Sequence, residues 1–87
     1  MENKFDANEL IESRKTLRGD FKNVAKAHLE FAYAITNNIH GNLSCEEEVA
    51  LNMIIHKLAR IITASGYDED SWKDVAGYAT LVVNNHQ

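Results

Sequence analysis

Apolar residues recur with a helical period along four segments of the chain, and short polar stretches separate these segments. No segment alternates apolar and polar residues over a useful length, and no hairpin turn is present. Proline is absent and glycine occurs four times, so helices can run without interruption. The sequence therefore predicts an all-α fold with one short N-terminal helix followed by three longer antiparallel helices.

The first two predicted helices lie on either side of Gly19. A capping-box spacing that begins at Asp6 favours a short helix from about Ala7, which ends or bends at Gly19. Asp20 can then cap a second helix over about Phe21–Asn38, because its carboxylate can accept from the first free backbone N–H groups.

The third and fourth predicted helices follow a clear start signal. Ser44 and Glu47 have the residue types and spacing of a capping box, which predicts a third helix from Cys45 to about Ser65. Gly66 suits a left-handed C-terminal cap. The acidic run at residues 68–70 then favours the N-terminus of a fourth helix, which extends to about Asn84.

The length of the chain favours a single domain that associates with copies of itself. An 87-residue chain is too short for two self-sufficient cores and buries only about 60–65% of its unfolded surface. The third predicted helix is apolar on more than one side, and most aromatic residues are expected in the core. We therefore expect residues 1–87 to form one helical domain that oligomerises through helix packing.

The net charge of −4 argues against general DNA or RNA binding, which needs many cationic contacts to phosphates. The charge is unevenly distributed, however, because five of the nine basic residues lie within a short stretch around Gly19. Such a cluster can attract phosphate, or it can be a solvated basic face. Its members are Arg14, Lys15, Arg18, Lys22 and Lys26.

A second basic group crosses the third predicted helix at His56, Lys57 and Arg60. Burying these side chains is costly unless an anionic group meets them. The partner could be Asp70 or Asp74 at the start of the next helix. A bound phosphate or a neighbouring subunit would serve equally well.

Acidic residues on the third and fourth helices raise the alternative of a Mg²⁺-dependent all-α nucleotide pyrophosphohydrolase. Its metal ligands would be Glu47, Glu48, Asp70 and Asp74. These acids crowd at helix N-termini, where capping and the helix dipole explain them. No nucleophile, base, cofactor or metal site emerges otherwise, so we expect no enzyme, and His28 on a core-facing row is expected to be a satisfied buried histidine.

Three motifs in the C-terminal half resemble those of a group of small phage-encoded helical proteins. They read E-E-E-V-A-L-N-M-I at residues 46–54, K-L-A-R-I at residues 57–61 and D-S-W-K-D-V-A-G-Y-A at residues 70–79. The short members of this group are similar to anti-CBASS sponges. These proteins bind the cyclic oligonucleotide messengers of bacterial antiphage signalling and hold them without cleaving them.

This resemblance implies a phage immune-evasion protein in the host bacterial cytoplasm. It implies an interlocked homohexamer that holds cyclic dinucleotides between protomers and cyclic trinucleotides in distinct pockets. Two aromatic side chains would stack on bases and five basic ones would meet phosphates. The expected contacts are Phe5, Tyr33, Arg18, Lys22, Lys26, Lys57 and Arg60.

A third hypothesis is a protein-binding phage inhibitor of a host factor, which would use exposed apolar surface on the third predicted helix. The sequence also lacks the long apolar run of a membrane span and the basic-then-apolar pattern of an export signal. We therefore expect no membrane partner under any of the three hypotheses.

Overall fold

The structure, a computed structural model, describes residues 20–86. These residues form three helices, α1 (Phe21–Asn38), α2 (Cys45–Thr63) and α3 (Glu69–Asn85), and this part of the chain contains no strand. The prediction of an all-α fold is confirmed for residues 20–86. The short helix predicted from about Ala7, together with Phe5 and Arg18, lies outside the described residues.

Each helix begins at a polar cap. The Asp20 carboxylate accepts a hydrogen bond from the Lys22 backbone N–H at 3.2 Å, which satisfies a free donor at the start of α1. At the start of α2, the Ser44 hydroxyl accepts from the Glu47 N–H at 3.1 Å, and the Glu47 carboxylate accepts from the Ser44 N–H at 3.0 Å. The predicted capping box is therefore confirmed.

Helix α2 ends earlier than the sequence pattern predicts. Its last residue is Thr63, not Ser65, and Ala64 follows in an extended conformation. Gly66 does not have a positive φ angle, so the predicted left-handed cap was wrong. The Thr63 hydroxyl instead donates to the Ala59 carbonyl oxygen at 2.7 Å, which gives this carbonyl an additional partner in the last turn of the helix.

Helix α2 is the central element, because both α1 and α3 pack against it. His28 of α1 meets His56 of α2, while the earlier Val24 packs with the later Ala59, so these two helices run antiparallel. Residues 39–44 connect α1 to α2, and residues 64–68 connect α2 to α3. Both connections are short, as expected for antiparallel neighbours.

The core of the described residues is small and rich in alanine. Ala59 is 0% exposed and packs with Val24 and Ala27 of α1, and the partly buried Phe31 covers this cluster. The expectation that most aromatic residues lie in the core was wrong. Small side chains line the α1–α2 contact, and the following large side chains remain exposed: Phe21, Tyr33, Tyr67 and Trp72.

None of the helices in the described part of the chain is both long enough and apolar enough to span a membrane.

Substituting Ala59→Leu tests whether close helix packing stabilises the fold. The added side chain has no space at a position that is 0% exposed, so we expect the free energy of unfolding to fall by about 1–3 kcal/mol. Urea denaturation followed by circular dichroism measures this change. Ala34→Leu is the matched control at an exposed position of α1, and an equal loss in both variants would contradict the prediction.

Candidate functional site

The outward face of α1 carries basic and aromatic side chains. Lys22, Lys26 and Tyr33 are exposed and follow the spacing i, i+4 and i+11, which places them on one side of the helix. This side points away from α2, because Val24 and Ala27 occupy the opposite, buried side. We call Lys22, Lys26 and Tyr33 the α1 face.

The two lysines of the α1 face differ in their local partners. The Lys26 ammonium lies 3.2 Å from the Glu30 carboxylate one helical turn further along. Both side chains are well exposed, so this pair contributes little to stability. Lys22 has no ion pair within residues 20–86. Its charge is therefore available to an anionic ligand.

Lys57 on α2 is held by an acid of the neighbouring helix. Its ammonium lies 3.1 Å from the Asp74 carboxylate of α3, and the Lys57 side chain is only 14% exposed. Asp74 was one of the two partners that the sequence allowed. The ion pair compensates for the burial of the Lys57 ammonium and joins α2 to α3. Lys57 therefore has a structural role.

Arg60 on α2 is partly buried, and no carboxylate within residues 20–86 forms an ion pair with its guanidinium. Arginine has a pKa too high to lose its charge in a protein, so this group stays cationic in a partly desolvated position. A planar guanidinium can bind a phosphate through two parallel hydrogen bonds. Arg60 is therefore the basic residue of the described chain that most needs an anionic partner.

Two histidines meet at the α1–α2 contact, close to Arg60. The Nδ1 atoms of His28 and His56 are 3.2 Å apart, and the rings meet edge to face with centroids 5.1 Å apart. His28 was expected to be a satisfied buried histidine; it has a hydrogen-bond partner in His56, but it is only partly buried. We call His28, His56, Lys57 and Arg60 the basic cluster.

Burial and the neighbouring positive charges both disfavour the charged form of His56. Partial burial lowers the pKa of His56 below its ordinary value near 6.5, and the positive charge of Arg60 lowers it further, followed by His28 and Lys57. His56 is therefore predominantly neutral at pH 7. As a neutral imidazole it can share a hydrogen bond with His28 without adding to the local positive charge.

The predicted ligand contacts occupy two separate surfaces of the described chain. The α1 face points away from α2, whereas Lys57 and Arg60 lie on α2 itself. Residues 20–86 of one chain do not gather these side chains into one pocket.

Glu47 and Asp74, both proposed as Mg²⁺ ligands, are engaged by other groups of the described chain. The Glu47 carboxylate caps α2, and the Asp74 carboxylate binds Lys57. Among the described residues, no three His, Cys, Asp or Glu side chains form a group that could hold a metal ion. The described geometry therefore adds no support to the pyrophosphohydrolase hypothesis.

An open groove of about 400 Å³ lies between the first half of α2 and the second half of α3. Apolar side chains dominate its lining, including Val49, Tyr78 and Leu81. The basic cluster and the α1 face do not contribute to it. The groove is thus an apolar surface that is separate from the candidate phosphate contacts.

The histidine pair was not predicted from the sequence. A usable signal existed, because residues 28 and 56 lie at equal sequence distances from Asn42 in the connection between two antiparallel helices. Residues so placed lie at the same level along the helix pair. The missing information was the rotation of each helix about its own axis.

Comparison with known proteins places the chain in a family. A family model described as "Domain of unknown function (DUF6378)" matches residues 5–86. Neither a curated protein nor a solved structure matches the chain.

The lowered pKa of His56 predicts that stability falls on acidification. The unfolded chain, with a histidine pKa near 6.5, binds a proton more readily than the folded chain. The free energy of unfolding should therefore decrease as the pH falls below about 6.5, and this contribution should not vary well above that pH. Urea denaturation of the wild type and of His56→Gln at several pH values measures it.

His40→Gln is the matched control, because His40 is exposed in the connection between α1 and α2. The pH dependence should be weaker in His56→Gln and unchanged in His40→Gln. Equal pH dependence in the wild type and in His56→Gln would rule out this role.

Proposed function

The chain belongs to the DUF6378 family, and we propose that it binds cyclic oligonucleotide messengers and sequesters them without cleavage. In this function it is a phage protein that blocks CBASS-type signalling in the cytoplasm of the host bacterium. Cyclic dinucleotides are the primary ligands, and cyclic trinucleotides are a second class. The motifs at residues 57–61 and 70–79 carry the resemblance to sponges of this kind.

The observation that carries the proposal is the environment of Arg60. Its guanidinium is partly buried, has no ion pair within the described chain and lies next to His56 and Lys57. A phosphodiester would neutralise this charge and accept its hydrogen bonds. The protein has a net charge of −4, so such a localised basic site favours a small enclosed anion over a long nucleic acid.

The α1 face supplies the other contacts that a nucleotide needs. Tyr33 is 61% exposed on this face and can stack on a base, while Lys22 and Lys26 can meet phosphates. In the proposal, Phe5 adds a second stacking surface and Arg18 a further cation. Because the α1 face and Arg60 lie on different surfaces, the ligand is held between protomers.

A surface stripe on α3 supports the homo-oligomer that this arrangement requires. Trp72, Ala76, Ala79 and Val83 are exposed at successive spacings of four, three and four residues, which is the pattern of a helix–helix seam. Trp72 is 46% exposed and Val83 is 72% exposed. Covering this stripe with other copies of the chain would bury apolar surface that the monomer leaves in water, and a hexamer is the proposed assembly.

Arg60→Gln tests the proposed phosphate contact. The substitution removes the charge but keeps a polar side chain of similar shape, so we expect the affinity for cyclic GMP–AMP to fall by about tenfold or more. Isothermal titration calorimetry measures the affinity. Lys73→Gln is the matched control, because Lys73 is exposed on α3 and pairs with Glu69 of the same helix.

The complex of the wild-type protein with cyclic GMP–AMP also distinguishes sequestration from catalysis. Ligand released by denaturation should be intact cyclic GMP–AMP when it is analysed by mass spectrometry. Linear or mononucleotide products would contradict the sponge function, and Mg²⁺-dependent release of pyrophosphate from a nucleoside triphosphate would favour the pyrophosphohydrolase. Equal affinities for the wild type and Arg60→Gln would show that Arg60 is not a ligand contact.

Ala79→Lys tests the proposed seam on α3. A lysine in the middle of the apolar stripe would have to be buried in the assembly, which is unfavourable. We expect the wild type to be oligomeric and the variant to be largely monomeric by multi-angle light scattering. Thr80→Lys introduces the same charge at the neighbouring exposed position outside the stripe. A monomeric wild type would contradict the proposed homo-oligomer. Equal masses for the two variants would show that the interface does not lie on this stripe.

A further inference from the structure

The His28–His56 pair has a defined capacity for protons. With the Nδ1 atoms 3.2 Å apart, one ring donates its Nδ1 proton and the other accepts it. The accepting ring then carries its own proton on Nε2, and the donating ring has a free lone pair on Nε2. An additional proton can therefore bind at that free Nε2 without breaking the hydrogen bond between the helices.

The charges around the pair oppose this additional proton in the free protein. Arg60 and Lys57 of α2 are both cationic, and α1 contributes His28 itself. From α3, Asp74 faces the cluster, but its carboxylate is 3.1 Å from the Lys57 ammonium and offsets mainly that charge. The positive charge of Arg60 is not offset by any carboxylate ion pair within residues 20–86.

We propose that the His28–His56 pair makes anion binding at Arg60 proton-linked, so that the protein takes up a proton from solvent when a phosphate-bearing ligand binds. This inference rests on the proposed function and adds a form of regulation to the same site. The bound phosphate supplies the negative charge that the basic cluster lacks in the described chain. It thereby offsets the positive charge of Arg60, which after burial contributes most to lowering the pKa of His56.

Reciprocity between the two binding events gives the direction of the effect. If ligand binding favours protonation, then protonation favours ligand binding by the same factor. Affinity should therefore increase as the pH falls, with about a tenfold increase for each unit by which the ligand raises the pKa of the pair. The phosphodiester groups of a cyclic dinucleotide do not titrate near neutral pH, so the proton must bind to the protein.

Calorimetry of the full chain with cyclic GMP–AMP tests the linkage. Titrations at about pH 6.5, close to the ordinary pKa of histidine, in two buffers with different ionisation enthalpies, give the number of protons taken up for each ligand bound. We expect net proton uptake by the wild type and tighter binding at about pH 5.5 than at about pH 8. His56→Gln should lose the proton uptake, and His40→Gln should retain it.

Nuclear magnetic resonance of the wild type provides a readout that does not depend on a variant. The imidazole resonances of His28 and His56 report their titration directly, and the ligand should raise the pKa of at least one of them. Binding without proton uptake and without such a shift would overturn this inference and leave the proposed function intact. Absence of binding at every pH tested would overturn both.

Discussion

The close contact between α1 and α2 fixes the arrangement of the core and of the histidine pair. Ala59 is fully buried and Ala27 is nearly so, and such small side chains let the two helices approach closely. The same approach brings His28 within hydrogen-bond distance of His56. A larger residue at the contact would bury more apolar area, but it would separate the histidines. The polar pair and the alanine-rich core are therefore two results of one packing arrangement.

Lys57 and Arg60 of α2 have different electrostatic environments, because the two side chains pack against different parts of the protein. Lys57 faces α3 and has the Asp74 carboxylate, whereas Arg60 is partly buried without such an ion pair in the described chain. A charged group in this position is unfavourable for a protein that only has to fold. An anion bound to Arg60 would offset this cost. The lowered pKa of His56 keeps that ring from adding to the positive charge beside Arg60 at neutral pH.

Local signals in the sequence predicted local structure well. The Ser44–Glu47 capping box and the Asp20 cap correctly predicted where two helices begin, because capping depends on residues close in sequence. The end of α2 was not predicted correctly, because Ala64 takes an extended conformation before the glycine that had been expected to cap the helix is reached. The histidine pair depends on helix rotation, which no local pattern records. The exposure of Trp72 was missed for the same reason, since periodicity does not show which apolar face has a partner.

The distribution of buried residues along α3 has a consequence for its local stability. Along this helix, all of which is described, Ser71 in the first turn is the only buried residue, and its hydroxyl donates to the Asp68 carboxylate at 2.6 Å. Further along, Val75 and Val82 are only partly buried, and Val83 is exposed. The free energy needed to open the helix locally should therefore decrease from its first turn to its last. The first turn of α3 is therefore its best-anchored part, and its last turn is the part that we expect to open first.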